Sequence, residues 1–386
     1  MKARLHFVRV RTTLAGSYRF AAFTLLNTTL LVIALELLAS TLLHIPTEQT
    51  ATTAHEDYYA TVPWGADWER DGGDVPQGYV PFVTWKAKPY SSTVINVDQS
   101  GNRVTPGADC RTGSYEVFVL GGSTVWGSGA PDWGTIPAHL QELFSAARDE
   151  PVCVRNLGQG GWVSTQGVIE LQRQLQAGAT PDLVILYDGP NDIQAGSEEG
   201  DAGNHVDILD MRSKFEDFGR SRATMRLFNA TGIFGLLERM VPSTRSLRRW
   251  PASYRPHAVG SEELADNIAR VYLANYRTVR AWSREYGFEF AFFWQPNLVY
   301  DKKRLTPEER QVLDEWLADF PAPSALLPVV YKKIRAASTK YDRLFYLADI
   351  FENETSRIYL NESHVTPQGS LMVAKQVVQH LSGLPK

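Results

Sequence analysis

The sequence predicts a three-layer α/β/α sandwich around a five-stranded parallel sheet, and three observations carry that prediction. Short apolar runs, broken only by Glu289, recur at Val117–Leu120, Val152–Val154, Leu183–Tyr187, Phe288–Trp294 and Leu344–Leu347. Runs without alternation suit strands that are covered on both faces. Amphipathic helical patterns lie between them, and strand–helix alternation is the mark of a doubly wound sheet. Finally, glycines and small polar residues gather just after the runs, where such a sheet opens its ligand crevice.

The helices follow from spacing and end signals. Ile136, Leu140, Leu143, Phe144 and Ala147 form a 3.6-residue stripe introduced by Thr135 and Pro137. A second helical pattern runs from about Glu262 to Tyr286. The last carries Leu371, Ala374, Val378 and Leu381, with Thr366 placed to cap it and Pro367 at its first position, where a missing N–H is harmless.

Ahead of the sandwich lies a different kind of segment. Lys2, Arg4, Arg9, Arg11 and Arg19 make residues 1–19 a basic tail, and residues 20–45 are apolar. At about 1.5 Å per residue that stretch spans the roughly 30 Å hydrocarbon core of a bilayer. No Lys or Arg follows until Arg70, so the positive-inside rule puts the tail in the cytoplasm and the rest of the chain outside, as a single-pass protein of the plasma (inner) membrane. A cleaved signal peptide is the competing reading, but its apolar region is normally only about 7–15 residues, and no A-x-A-like site follows. Glu36 sits inside the span at a cost of about 2.5–3.5 kcal/mol on insertion scales, which the Leu-rich surroundings or a partner helix would offset.

Residues 46–114 read as an extended, aromatic-rich entry segment, and 115–386 as the main domain. Within it, 193–260 is too long for one crossover and reads as an insertion. Residues 211–260 hold ten Lys and Arg against three acids, a local +7 in a chain of net charge −4. This basic, aromatic cap is either a packed surface excursion or a lid that attracts anionic headgroups or glycans. The whole-chain charge offers no basic excess for nucleic acid. The two cysteines, Cys110 and Cys153, flank the first strand and open the second; on the outer side of a membrane they are expected to form a disulfide if those strands are neighbours. Eight scattered histidines without metal-ligand spacing argue against a metal site.

Four clusters at the strand ends are each weak alone. They are Gly121-Gly122-Ser123-Thr124, Asn156-Leu-Gly158-Gln-Gly160-Gly161, Asp188-Gly189-Pro190-Asn191-Asp192, and Asn361-Glu-Ser-His364 followed by Val-Thr-Pro-Gln-Gly369. In order and position together they resemble the four blocks of the SGNH (GDSL-like) hydrolases. The likeness covers about residues 115–382. It implies a flavodoxin-like sheet of order 2-1-3-4-5, no metal or organic cofactor, and a serine esterase. In that chemistry Ser123 is the nucleophile and His364 its base, while Gly161 and Asn191 join the Ser123 amide in an oxyanion hole.

One departure stands out. The family places Asp three residues before the histidine, and this chain has Asn361. An amide can still accept a hydrogen bond from the imidazole, but it cannot stabilise an imidazolium with a full charge; Glu362 and Asp349 are the other candidates for that role. The resemblance implies a serine ester hydrolase; the anchor makes it membrane-bound and extracytoplasmic, and anchor and basic cap together suit an acylated, for instance acetylated, surface or extracellular polysaccharide as its substrate. An O-acyltransferase of the same fold and a catalytically weakened glycan-binding or assembly subunit are the alternatives, and the sequence does not fix the oligomeric state.

The orientation is directly testable. In intact cells a membrane-impermeant thiol reagent is expected to reach Thr53→Cys and to miss Thr12→Cys; the opposite pattern would overturn the assignment.

Overall fold

A computed structural model describes residues 2–43, 58–72, 75–206, 208, 211–212 and 262–383. The chain divides into two units, Met1–Thr50 with Leu209–Ser253, and Ala51–Ile208 with Tyr254–Lys386. In the first, helix α1 runs over Lys2–Leu43. Its stretch Tyr18–Leu38 has a mean hydropathy of 1.9 over 21 residues, long and apolar enough to cross a membrane. Phe20, Phe23, Leu25, Leu30 and Leu31 are all exposed on it. Beyond Arg212 the basic stretch lies outside the described residues.

The second unit opens with helix α2 (Gly65–Asp71) and the short strands β1 (Gln77–Val80), β2 (Thr84–Ala87), β3 (Tyr90–Ser91) and β4 (Asn96–Val97). Strand β5 (Tyr115–Gly121) is followed by the single turn α3 (Ser123–Trp126) and helix α4 (Ile136–Ala147). Then come β6 (Val152–Asn156), α5 (Ser164–Gln176), β7 (Leu183–Asp188), α6 (Pro190–Glu199) and α7 (Glu262–Tyr286). The unit ends with β8 (Glu289–Trp294), α8 (Pro307–Asp319), α9 (Pro321–Ser338), β9 (Leu344–Tyr346) and α10 (Pro367–Ser382).

The main sheet has the order β6-β5-β7-β8-β9, and all its neighbouring pairs are parallel. In sequence order that is 2-1-3-4-5, the arrangement expected above. Successive side chains of a strand face opposite ways, so each strand feeds two cores. Phe118, Leu120, Val184, Leu186, Phe292 and Trp294 pack against α5, α7 and α9. Val117, Val119, Ile185, Ala291 and Phe293 face α4, α8 and α10. Each such Val, Leu, Ile or Phe side chain, fully buried, contributes on the order of 1.5–3 kcal/mol, and this two-sided demand is why the strands read as apolar runs without alternation.

The helix ends are fixed by their caps. Thr135 Oγ1 accepts from the Ala138 amide at 3.2 Å, and Thr366 Oγ1 accepts from the Gly369 amide at 3.2 Å. Helix α6 continues from the Gly-x-Asn-Asp block to Glu199, with Ile193 in the core. The first residues of the stretch expected as an insertion are thus part of the sandwich.

The entry segment is tied to the sheet edge. Cys110 and Cys153 form a disulfide, with Cα atoms 4.7 Å apart. Closing a loop over a sequence separation of 43 stabilises by about 4 kcal/mol in the chain-entropy picture. Lys86 Nζ, buried, reaches Asn102 Oδ1 at 2.8 Å and Glu170 Oε1 of α5 at 3.1 Å. Arg103 bridges to Asn156 of β6, and its side chain is wholly buried. Its guanidinium donates to the carbonyls of Trp126 (3.0 Å), Gly127 (2.7 Å), Ala130 (2.7 Å) and Val94 (3.3 Å), and to Asp132 Oδ1 at 2.8 Å. A planar fork of five donors can serve all these acceptors, which an ammonium cannot.

Removing it takes the cation from the partly buried Asp132 and leaves several carbonyls without their donor. Arg103→Ala is expected to cost about 3–5 kcal/mol, with Arg103→Lys recovering less than half, read from denaturant unfolding of the full chain. An Ala variant within 1 kcal/mol of wild type (order-of-magnitude scale) would remove Arg103 from its structural role.

Candidate active site

Strand β5 ends at Gly121, and Ser123 is the first residue of α3. The turn is closed by the Trp126 amide donating to Gly122 O at 3.0 Å and the Gly127 amide donating to Ser123 O at 2.8 Å. The serine is half-buried at the carboxyl edge of the sheet. Next to it Thr124 Oγ1 donates to Gln295 Oε1 at 2.7 Å, tying the turn to the loop after β8.

His364 arrives from the far end of the chain. Its Nε2 lies 2.7 Å from Ser123 Oγ, across 241 residues of sequence. The loop that delivers it is tightly held. Tyr359 and Val365 form an antiparallel bridge, the Leu360 amide donates to His364 O at 2.9 Å, and the Thr366 amide donates to Ile358 O at 2.8 Å. Glu309 Oε1, fully buried, accepts from the Ile358 and Tyr359 amides at 2.9 and 3.0 Å, while its Oε2 accepts from Lys303 Nζ at 2.7 Å. The Leu298 amide donates to Glu362 O at 2.8 Å, which joins this loop to the segment after β8 as well.

Asn361 sits against the other imidazole nitrogen, its Nδ2 2.7 Å from His364 Nδ1. Its Oδ1 accepts from the backbone amides of His364 (2.8 Å) and Ser363 (3.1 Å). Asn361 thus meets the imidazole through its nitrogen, where the sequence suggests its oxygen. The two backbone donors decide this, because an N–H can only be met by an acceptor. Turning the amide over would break both bonds, each worth about 1 kcal/mol net and more if a donor is left unmet. Of the other candidates for this role, Asp349 is paired with Arg335 Nη2 at 2.5 Å and Lys302 Nζ at 3.6 Å. Glu362 accepts from Ser363 Oγ at 3.1 Å, and burial raises its pKa above the usual carboxylate range.

The second and third clusters converge on the same turn. Asn191 Nδ2 donates to Trp162 O at 2.8 Å. Gly161, just before it in sequence, has φ +74°, in the region that favours glycine. The glycine loop is held by Asn156, whose Nδ2 donates to Val125 O at 2.9 Å and whose Oδ1 accepts from the Gly158 amide at 3.1 Å. Beneath lies a buried carboxyl pair. Asp192 accepts from Ser164 Oγ at 2.5 Å and from the Ser164 amide at 3.1 Å, yet burial pushes its pKa up to about 6. Asp188 is pushed well above the usual range, first by burial and then by the neighbouring Asp192 charge.

Sequence reasoning missed the contribution of the entry segment. Trp85 Nε1 donates to Gly160 O at 2.8 Å, and a side chain on Gly161 would meet the Trp85 ring at 3.5 Å. His205 stands edge-on to Trp85 with ring centroids 5.6 Å apart. Tyr79 pairs with Trp85 across the β1–β2 hairpin and is exposed, as is Phe82 at its tip. Trp85 follows no periodic signal; only the density of aromatic residues in this segment set it apart.

No protein-family model matches the chain, and no curated protein matches it. Solved structures do. A lipolytic protein of the G-D-S-L family from Veillonella parvula overlays at TM-score 0.38 and 9% identity, covering 70% of this chain and 99% of that one. A second protein of that description, from Desulfitobacterium hafniense, overlays at TM-score 0.36 and 9% identity, covering 69% and 99%. A carbohydrate acetylesterase family member from Sinorhizobium meliloti overlays at TM-score 0.33 and 16% identity, covering 70% and 100%. The strand order 2-1-3-4-5 gives this chain a flavodoxin-like α/β/α fold, with the four clusters gathered at the carboxyl edge of its sheet.

The close approach at Gly122 yields a structural test. A Cβ there would lie 2.3 Å from Asn191 Nδ2 and 2.9 Å from Trp162 O. In a crystal structure of Gly122→Ala the Asn191 amide is expected to move away by roughly 1 Å, the shortfall from ordinary contact at 3.4 Å, and to lose Trp162 O. An unmoved Asn191 would mean that the turn has slack.

Proposed function

We propose that the chain is a serine ester hydrolase held at the outer face of a membrane by its N-terminal helix. The observation that carries this reading is the 2.7 Å contact between His364 Nε2 and Ser123 Oγ at the carboxyl edge of the sheet. That is hydrogen-bond reach for a base and its nucleophile. With Nε2 unprotonated, His364 takes the Ser123 proton as Oγ attacks the ester carbonyl. The same proton then goes to the leaving alcohol, and water releases the acyl group by the reverse sequence. The amides of Ser123 and Gly161 and the second N–H of Asn191 Nδ2 are the donors for the oxyanion; each such donor is worth about 10²–10³ in turnover.

The substrate we assign is an O-acylated carbohydrate outside the cell. Support comes from the helix that is long and apolar enough to span a membrane, with no Lys or Arg between it and Arg70. It comes also from Trp85, which lies against Gly161, with His205 edge-on to it and Tyr79 opposite it on the hairpin, since ring faces with nearby polar tips suit a sugar.

The test is hydrolysis of a simple acetate ester and of an acetylated oligosaccharide by the full chain in detergent. Ser123→Ala is expected to lose roughly a hundredfold or more of the rate while unfolding at the wild-type midpoint. Equal rates in the two proteins would end the esterase reading.

A further inference from the structure

We propose that Asn361 is a positioning residue that holds resting His364 in the Nε2–H tautomer, the one that cannot take the Ser123 proton. The inference rests on the esterase reading above and concerns the regulation of that same site. Its premise is the direction of four hydrogen bonds. The Ser363 and His364 amides fix Asn361 Oδ1, at 3.1 and 2.8 Å. Nδ2 is thereby turned to His364 Nδ1 at 2.7 Å, and an amide nitrogen offers only hydrogens. Nδ1 must therefore be the acceptor of a neutral imidazole, which places the ring proton on Nε2. At 2.7 Å that proton points to Ser123 Oγ, and the serine accepts where a nucleophile awaiting activation would donate.

Catalysis from this state needs a preliminary step. The proton on Nε2 must leave and an equal one must appear on Nδ1, exchanged through solvent, so that the ring stays neutral and Nε2 gains a lone pair. The new Nδ1–H then confronts the Asn361 NH₂, donor against donor. Relief requires the amide to turn over and to abandon both backbone amides. The same conflict recurs when His364 carries both protons during acyl transfer. An Asp at this position has no such conflict, since one carboxylate oxygen can serve the two backbone amides while the other accepts Nδ1–H. In a serine protease the corresponding Asp-to-Asn change costs about 10⁴ in turnover through the wrong tautomer. The rigid loop around Tyr359 and Val365 leaves Asn361 little room to adapt by backbone movement.

The experiment pairs a spectroscopic readout with a rate. Full-length protein in detergent, labelled with ¹⁵N-histidine, is examined by long-range ¹⁵N–¹H correlation, with His364 assigned by its loss in His364→Gln. Wild type is expected to show a protonated Nε2 and an unprotonated Nδ1; Asn361→Asp is expected to show the reverse. On one acetate ester Asn361→Asp should be faster by roughly ten- to a hundredfold, part of the effect seen in the protease. An Nδ1–H in the wild type would overturn the proposal, as would an Asp variant whose tautomer does not change. A changed tautomer with a measurable but unaltered rate would overturn the regulatory role. A changed tautomer with no hydrolysis by either protein would support the positioning role and refute the esterase reading instead.

Discussion

The site depends on a steric constraint at the end of β5. Three chain segments meet there at distances that exclude even a methyl group: a Cβ on Gly122 would lie 2.3 Å from Asn191 Nδ2, and one on Gly158 would lie 2.6 Å from the Trp126 amide. Because these glycines carry no side chain, the serine turn, the glycine loop and the start of α6 share one small volume. Trp162 O and Asn191 Nδ2 then meet directly, and Asn156 can reach back to Val125 O. The parallel sheet sets the strand ends side by side; the missing Cβ atoms let the loops close over them.

Around that point the molecule spends buried polar groups generously. Arg103, Lys86 and Glu309 are all buried and all satisfied by named partners, and each joins a loop to an element remote in sequence. Burying a charge is costly unless it is fully paired, so such hubs reward one arrangement of loops and penalise others. Arg103 holds the carbonyls just after Ser123, and Glu309 holds the strand-like segment just before Asn361. Ser123 and His364 are thus each backed by a charged group on a different part of the chain. The orientation of Asn361 is a by-product of the same economy, since its oxygen is already committed to the backbone.

Much of this was legible in the sequence. The five strands and their parallel packing follow from apolar runs without alternation, and Thr135-Ile-Pro137 and Thr366-Pro367 mark helix starts that the structure places at Ile136 and Pro367. The proximity of Cys110 to Cys153 follows from two adjacent strands. Helix α9 gave no such signal, because Pro321, Pro323 and Pro328 interrupt its pattern; two fall in the first turn, where no donor is needed, and packing of Leu326, Val330 and Ile334 tolerates the third. The entry segment hid its tethers for another reason. Polar residues such as Lys86, Arg103 and Gln159 look solvated in sequence, and only tertiary contacts reveal that they are buried. Asn361 could be recognised as a departure, but not its direction, which depends on two backbone amides that sequence cannot place.

The central claim is that Ser123 is the nucleophile that the sheet edge and His364 prepare. A fluorophosphonate reacts preferentially with an activated serine, so its adduct reports the claim without knowledge of the substrate. After prolonged exposure of folded, full-length protein to the reagent, peptide mass spectrometry should locate a single phosphonyl adduct on Ser123, absent from Ser123→Ala. An adduct on another serine, or none on protein shown to be folded, would contradict it.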